Sequence, residues 1–185
     1  MMSIQLDNSI KYIRVGLNWN SSPDRSLDLD LSAFMLDEIG IARKEEDLVF
    51  YNHTASQNDA LVLSGDDRFG EVSGTNESIL VDLDAVPERI GRLVFCVTFD
   101  ESDGEHCFGE TESTVLFASG VSDRFDKGEE PFCSVDLAMH CPMSSAMAVL
   151  QIARSGEGWA YDLLLDSADF GITELCARYG LAVED

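Results

Sequence analysis

Hydrophobic and polar residues alternate along most of the chain in short runs, which clusters of Gly, Asn, Asp and Ser separate. Alternation with a period of two is typical of β-strands that bury one face. It predicts nine strands, at 11–18, 28–36, 48–51, 79–84, 92–100, 113–119, 132–137, 144–154 and 158–166. A helix is predicted at 170–179, where Gly180 is placed to end it, and residues 84–89 favour a single helical turn.

This order of elements predicts the fold class. Many short strands and few helices indicate a mainly β protein, a β-sandwich of two antiparallel sheets with few short helices and a C-terminal helix. The chain has 185 residues, which is within the range of one domain and long enough to bury a sizeable core. Because no linker or repeat interrupts the pattern, we expect a single domain over residues 1–185.

Acidic residues dominate the charge of this chain. The 35 Asp and Glu residues outnumber the 12 Lys and Arg residues, which gives a formal net charge of −23. Such a charge repels nucleic acids and anionic membranes, so we expect no direct nucleic-acid binding. It favours cations or basic proteins as partners, or serves colloidal solubility alone.

The sequence also predicts a cytoplasmic location. It contains no apolar run long enough for a transmembrane segment, and its N-terminus lacks the basic and apolar regions of a secretory signal. The five cysteines are odd in number and widely spaced, without a CxxC pair. This pattern is typical of reduced thiols, and the apolar surroundings of Cys96 and Cys176 predict buried, unreactive ones.

The predicted strand 28–36, DLDLSAFML, has two different halves on one face. If it is extended, Asp28, Asp30 and Ser32 share a face with Phe34 and Leu36. Two carboxylates at positions i and i+2 lie within ~7 Å of each other and repel unless a cation lies between them. The polar end therefore predicts a cation site at the rim of the sandwich, and the apolar end predicts burial.

A second acidic segment, residues 64–78 (SGDDRFGEVSGTNES), is predicted to form a loop because it contains three glycines and no periodicity. Its carboxylate, amide and hydroxyl oxygens suit Ca²⁺, which takes ~6–8 oxygen ligands. Asn18 and Asn20, at the end of the first predicted strand, are candidate neutral ligands. The segment does not fit an EF-hand, because Arg68 and Glu71 stand where a ligand and the turn glycine belong.

Motifs in the same order across nearly the whole chain resemble the TerD family of tellurium-resistance and stress-response proteins. They are VGLNWN (15–20), DLDLSAFML (28–36), EDLVFYN (46–52), SGDDRFGE (64–71), VDLDAVP (81–87), LVFCVTFD (93–100), CFGE (107–110) and ELCARYGL (174–181). The resemblance implies a calcium-binding β-sandwich without enzymatic activity, located in the cytoplasm or attached to the inner membrane face through partners. It also implies a role in tellurite resistance through complexes with other products of the tellurium-resistance operon.

The resemblance further implies which residues bind calcium. Carried over position by position, the metal ligands are Asn20, Asp28, Asp30, Ser32, Asp66, Asp67, Gly70 through its carbonyl, Glu71 and Glu77. This sequence departs from the family pattern at Ser73, Thr75 and Asn76, which stand where family members carry acids. Since calcium affinity follows the number of charged ligands, we expect one calcium ion and less support for a second.

Three alternatives remain open or are disfavoured at this point. The first is an acidic structural or assembly protein of the same fold that has lost part or all of its calcium site. The second is a metal-dependent hydrolase, for which the sequence shows no recognisable general base. The third is a zinc site formed by His106-Cys107 and His140-Cys141, which is disfavoured because adjacent ligands are poorly placed for one tetrahedral ion.

Overall fold

The computed structural model describes residues 3–21, 27–65, 76–100, 104–124, 126, 130–156 and 158–182. The strands are β1 (Ile4–Gln5), β2 (Tyr12–Asn20), β3 (Leu29–Leu36), β4 (Leu48–Val49), β5 (Leu61–Ser64), β6 (Glu77–Asp82), β7 (Arg92–Phe99), β8 (Ser113–Val121), β9 (Cys133–Asp136), β10 (Ala146–Ser155) and β11 (Gly158–Ala168). The α-helices are α1 (Leu137–His140) and α2 (Gly171–Arg178). Short 3₁₀ turns lie at Glu45–Asp47, Gln57–Asp59 and Phe108–Glu110.

The strands form two antiparallel sheets, as the sequence predicts. One sheet has six strands in the order β1-β11-β10-β7-β3-β4, and the other has five in the order β5-β6-β2-β8-β9. Every pairing between these strands is antiparallel. The predicted β-sandwich with a C-terminal helix is therefore confirmed.

Strand β3 is buried on both faces over its second half. Leu29, Leu31, Ala33 and Met35 pack into the core between the two sheets. Phe34 and Leu36 face the other way, into a second apolar cluster that includes residues of α2. This arrangement explains why the sequence of β3 loses its alternation after Ser32: the outer face of the sheet is covered there and reaches solvent only near the strand's start.

Helix α2 ends where the sequence predicts. Gly180 has a φ of +84°, and its N–H donates to the carbonyl of Ala177, while the N–H of Leu181 donates to the carbonyl of Cys176. This pair of bonds is a Schellman motif, which requires a residue in the left-handed region. A Cβ at Gly180 would also lie 2.7 Å from a side-chain carbon of Ile41, so both conformation and space favour glycine.

The structure corrects several predicted elements. Strands β1 and β5, with two and four residues, lie outside the nine predicted strands. Helix α1 was missed because Leu137 was assigned to a strand, whereas the Asp136 side chain accepts hydrogen bonds from the N–H groups of Ala138 and Met139 and begins a helical turn. Residues 84–89 form hydrogen-bonded turns instead of a helical turn. The predicted strand 48–51 is paired with β3 over Leu48–Val49 alone.

Candidate functional site

The predicted calcium ligands that the structure describes lie at one end of the sandwich. Glu77, at the start of β6, is opposite Leu17 near the end of β2, and the start of β3 is opposite the end of β7. The Trp19 indole N–H at the end of β2 donates to the Leu27 carbonyl, at 3.0 Å, and so joins the five-stranded sheet to the residues that precede β3. Asp28, Asp30 and Glu77 are therefore brought to a common region.

Glu77 links the two sheets through its carboxylate. Its side chain is buried, and Oε2 accepts a hydrogen bond of 2.7 Å from the N–H of Leu31 in β3. This N–H lies beyond the part of β3 that β4 covers, because β4 pairs with Ala33 and Phe34 alone. The carboxylate thus satisfies a backbone donor on the open edge of β3, directly next to Asp30. A carboxylate has about four lone-pair positions, so this bond leaves it chemically able to bind a cation as well.

Asn76 fixes the entry of the chain into β6. Its Oδ1 accepts a hydrogen bond of 2.9 Å from the Trp19 N–H, and its own N–H lies 3.1 Å from the Leu17 carbonyl and 3.3 Å from the Asn18 Oδ1. The side-chain oxygens of Asn18 and Asn76 are thus engaged with backbone groups. The contacts of Asn76 extend the pairing of β2 and β6 beyond Glu77.

Asp100 is a further acid at this end that the sequence analysis did not assign to the site. Its N–H donates to the Asp28 carbonyl at 3.1 Å, and it directly follows β7, whose Thr98 is opposite Asp30. The signal was available in the sequence: an acid at the end of 92–100 must lie close to the start of 28–36 if these two strands pair in antiparallel fashion. Nothing in the sequence by itself shows that they pair.

Ser32 lies on the same face of β3 as Asp30 but is more deeply buried. It is 1% exposed, and its Oγ has no hydrogen-bond partner within the part of the chain that the structure describes. The sequence predicted an oxygen ligand at this position, and a buried hydroxyl without a partner agrees with a polar occupant near it.

The remaining predicted ligands are either exposed or outside the described residues. Asn20 is exposed, and its side-chain amide donates to Ser113 Oγ at 3.2 Å across the β2–β8 pairing. Four of the predicted ligands lie outside the described residues: Asp66, Asp67, Gly70 and Glu71. Within the described ranges, no group of three or more His, Cys, Asp and Glu side chains is placed to hold a metal ion. The described part of the predicted site is therefore an oxygen-rich rim to which the 66–71 segment would have to contribute.

The histidines and cysteines take other positions. His106 Nδ1 lies 3.0 Å from Glu110 Oε2, and the Cys107 thiol donates to the other oxygen of Glu110 at 3.8 Å, beside a cavity of about 790 Å³. Cys96 and Cys176 are buried, as predicted, and so is Cys133. Burial raises the pKa of each of these three thiols above its ordinary value.

The described helices are short. Helix α1 has four residues and α2 has eight, and neither these nor any other helix in the described ranges is long and apolar enough to cross a membrane.

Known proteins match this chain over most of its length. A family model described as "TerD domain" matches residues 2–179. "Tellurium resistance protein TerD" from Serratia marcescens is 29% identical over 176 residues, which cover 94% of this chain and 89% of that protein. "General stress protein 16U" from Bacillus subtilis is 28% identical over 173 residues, which cover 91% and 87%. The crystal structure of a homologue of telluride resistance protein (TerD) from Streptomyces coelicolor has the same fold, with a TM-score of 0.76, 19% identity, and coverage of 94% of this chain and 99% of that one.

Proposed function

The chain belongs to the TerD family of tellurium-resistance and stress-response proteins, and we propose that it is a calcium-binding protein that acts as a cytoplasmic scaffold or interaction module, not as an enzyme. Its partners would be other tellurium-resistance proteins, at the inner membrane face or in the cytoplasm. The observation that carries the calcium proposal is the buried Glu77 carboxylate, which reaches from one sheet to the edge of the other beside Asp30.

The donor set fits a hard cation. Asp28, Asp30 and Glu77 supply carboxylate oxygens, Ser32 supplies a buried hydroxyl without a described partner, and Ca²⁺ binds oxygen ligands in flexible geometry. The 66–71 segment directly follows Gly65 in the sequence, and residues 72–75 separate it from Asn76. It would complete the set with Asp66, Asp67, Glu71 and the Gly70 carbonyl.

The proposed mechanism is electrostatic. A bound Ca²⁺ supplies two positive charges to a region where carboxylates from β3, β6 and the 66–71 segment otherwise repel one another. Glu77 holds the edge of β3, and Asn76 holds the start of β6, so the acids are presented from a rigid sandwich. The 66–71 segment would then take one arrangement in the loaded protein, which forms a surface for a partner.

Calorimetric titration of the chelator-treated protein with CaCl₂ tests this proposal. We expect saturable heat from the wild type and weaker binding by about tenfold or more for Asp30→Ala, because affinity falls with each charged ligand removed. Asp84→Ala is the matched control, since Asp84 is an exposed acid next to Lys11 at the opposite end of β2. The absence of any binding to the wild type at millimolar Ca²⁺ would refute the calcium proposal and favour an acidic assembly protein of the same fold.

A further inference from the structure

A small cavity lies on the outer face of the six-stranded sheet, beside the ends of β3 and β7. It has a volume of about 90 Å³. The outer faces of β3 and β7 form its floor, residues 50–51 form one side, and Ile172 of α2 forms another. It is distinct in position from the Glu77 bond, which lies at the edge of β3 and faces the other sheet.

The floor of this cavity contains a buried polar group without a partner. Ser32 Oγ lines the cavity, is inaccessible to solvent and makes no hydrogen bond within the described residues. Leaving a buried hydroxyl unsatisfied costs about 1–3 kcal/mol, which proteins tolerate most readily where a ligand supplies the missing bond. The group that completes this cavity must therefore be polar at the end that meets Ser32.

The walls combine carboxylates with aromatic rings. Asp30 and Asp100 supply the negative charge, and Phe50 and Tyr51 supply the rings. The rings of Phe50 and Tyr51 meet edge to face, with centroids 5.0 Å apart. Aromatic faces attract cations but provide no oxygen ligands, so a wall of this composition suits an organic cation better than a bare metal ion.

We propose that this cavity binds a primary alkylammonium group. An ammonium carries three N–H donors and no acceptor, so it can donate to Ser32 Oγ and to a carboxylate at the same time. Its first methylenes then lie against the rings, which stabilise the charge through their negative faces. A volume of about 90 Å³ is roughly three times the share of one liquid water molecule, which leaves room for an ammonium head and a short alkyl stem.

Two sources carry this chemistry: a free polyamine and a lysine side chain of a partner. The net charge of −23 attracts both. This inference goes beyond the proposed calcium function and does not depend on it. Asp30 and Ser32 belong to both sites, however, so we expect Ca²⁺ and the amine to compete for them and to weaken each other's binding.

Titration of the full chain with butylammonium chloride, at fixed ionic strength and in EDTA, tests the proposal. We expect saturable binding followed by calorimetry or by NMR shifts, and binding of butan-1-ol at least tenfold weaker, because the alcohol has the alkyl stem without the charge. Cadaverine and Nα-acetyl-lysine methylamide distinguish the two sources. Tighter binding of the diamine supports a free polyamine, and tighter binding of the capped lysine supports a partner's side chain.

Variants separate this cavity from general attraction of cations and from the calcium site. Asp100→Asn and Tyr51→Leu should each weaken butylammonium binding, by about 3- to 30-fold for the ring, which corresponds to the range of cation–π energies. Phe170→Leu is the matched control, since Phe170 is an exposed aromatic residue outside this cavity. Glu77→Gln should weaken calcium binding more than amine binding, because Glu77 is a proposed calcium ligand and does not line this cavity.

Ser32→Ala provides an independent readout. It should weaken amine binding, and in amine-free buffer it should leave Tm unchanged or raise it, because it removes a buried hydroxyl without a partner. Equal binding of amine and alcohol, or amine binding that neither Asp100→Asn nor Tyr51→Leu weakens, would overturn the proposal. Such results would assign the cations to the general surface charge of the protein.

Discussion

Replacing Glu77 by glutamine separates the structural role of this side chain from its proposed role in calcium binding. The amide oxygen of glutamine can accept the same hydrogen bond from Leu31, so the contact at the edge of β3 is kept while the charge is removed. Loss of the charge weakens this bond by about 1 kcal/mol, since hydrogen bonds to charged groups contribute more than neutral ones.

Without calcium, removal of the charge also relieves repulsion. Two carboxylates roughly 7 Å apart repel by about 2 kcal/mol at an effective dielectric constant of ~20. We expect repulsion of this size from Asp28 and Asp30 to offset the weaker hydrogen bond. In EDTA we expect Glu77→Gln to have a free energy of unfolding equal to that of the wild type or higher by about 1 kcal/mol.

With calcium bound, we expect the wild type to have the higher free energy of unfolding. A ligand at 100 times its Kd stabilises the wild type by about 2.7 kcal/mol, which raises Tm by about 5–10 °C for a domain of this size. A tenfold loss of affinity reduces this to about 1.4 kcal/mol. Thermal unfolding followed by circular dichroism, in EDTA and in saturating CaCl₂, measures the calcium-dependent stabilisation of the wild type and of the variant.

Two controls complete this test. Glu77→Ala leaves the N–H of Leu31 without its partner and should destabilise the protein by about 1–3 kcal/mol in both buffers. Asp84→Asn removes an exposed acid and should change neither value. If Glu77→Gln lowers Tm by the same amount with and without calcium, the carboxylate has a structural role alone and the proposed ion site fails.

Two further predictions concern stability and thiol chemistry. Asp47→Asn should lower the free energy of unfolding at neutral pH by about 2–4 kcal/mol, because the buried carboxylate accepts two bonds from Arg89, at 2.5 and 3.0 Å. Burial raises the pKa of Asp47, but the bonds from Arg89 and two backbone N–H groups outweigh it and lower the pKa below its ordinary value. Denaturant titrations should therefore show the difference from wild type at neutral pH and its loss as the pH falls through the lowered pKa. A difference that does not decrease at acidic pH would contradict the assignment. Native protein at pH 7.5 should react with a thiol-specific reagent at Cys107 and Cys141, because these two thiols are partly exposed. Cys96 should not react, because it is buried and burial raises its pKa. Mass spectrometry of the labelled peptides checks this prediction, and rapid labelling of Cys96 would show that the sandwich opens.

The sandwich could be predicted because its longer strands follow simple patterns. Strands β3, β7 and β10 carry long apolar stretches, and the switch after Ser32 correctly indicated a strand that becomes buried on both faces. The short elements could not be predicted in the same way. Strand β5 has four residues, and only its pairing with β6 shows that it belongs to a sheet.

The candidate site could be predicted in part. Clustered acids and the family motifs indicated Asp28, Asp30 and Glu77, and the structure brings them to one end of the sandwich. The role of Asn76 depends on a hydrogen bond across 57 residues, and the position of Asp100 depends on strand pairing. Such contacts between distant parts of the chain are set by tertiary packing, which no local pattern encodes.

The lengths of the outermost strands bear on how this protein can assemble. The six-stranded sheet ends in β1 and β4, with two residues each, and the five-stranded sheet ends in β5 and β9, with four each. Strand β1 pairs with only two residues of β11, and β4 with only two residues of β3, so these outermost strands cover a small part of their neighbours. On the open part of β3, the Glu77 carboxylate occupies the N–H of Leu31, and a charged side chain at a strand edge is one way in which proteins prevent pairing with another chain. A second chain that added a strand at this edge of β3 would therefore have to displace the Glu77 carboxylate first.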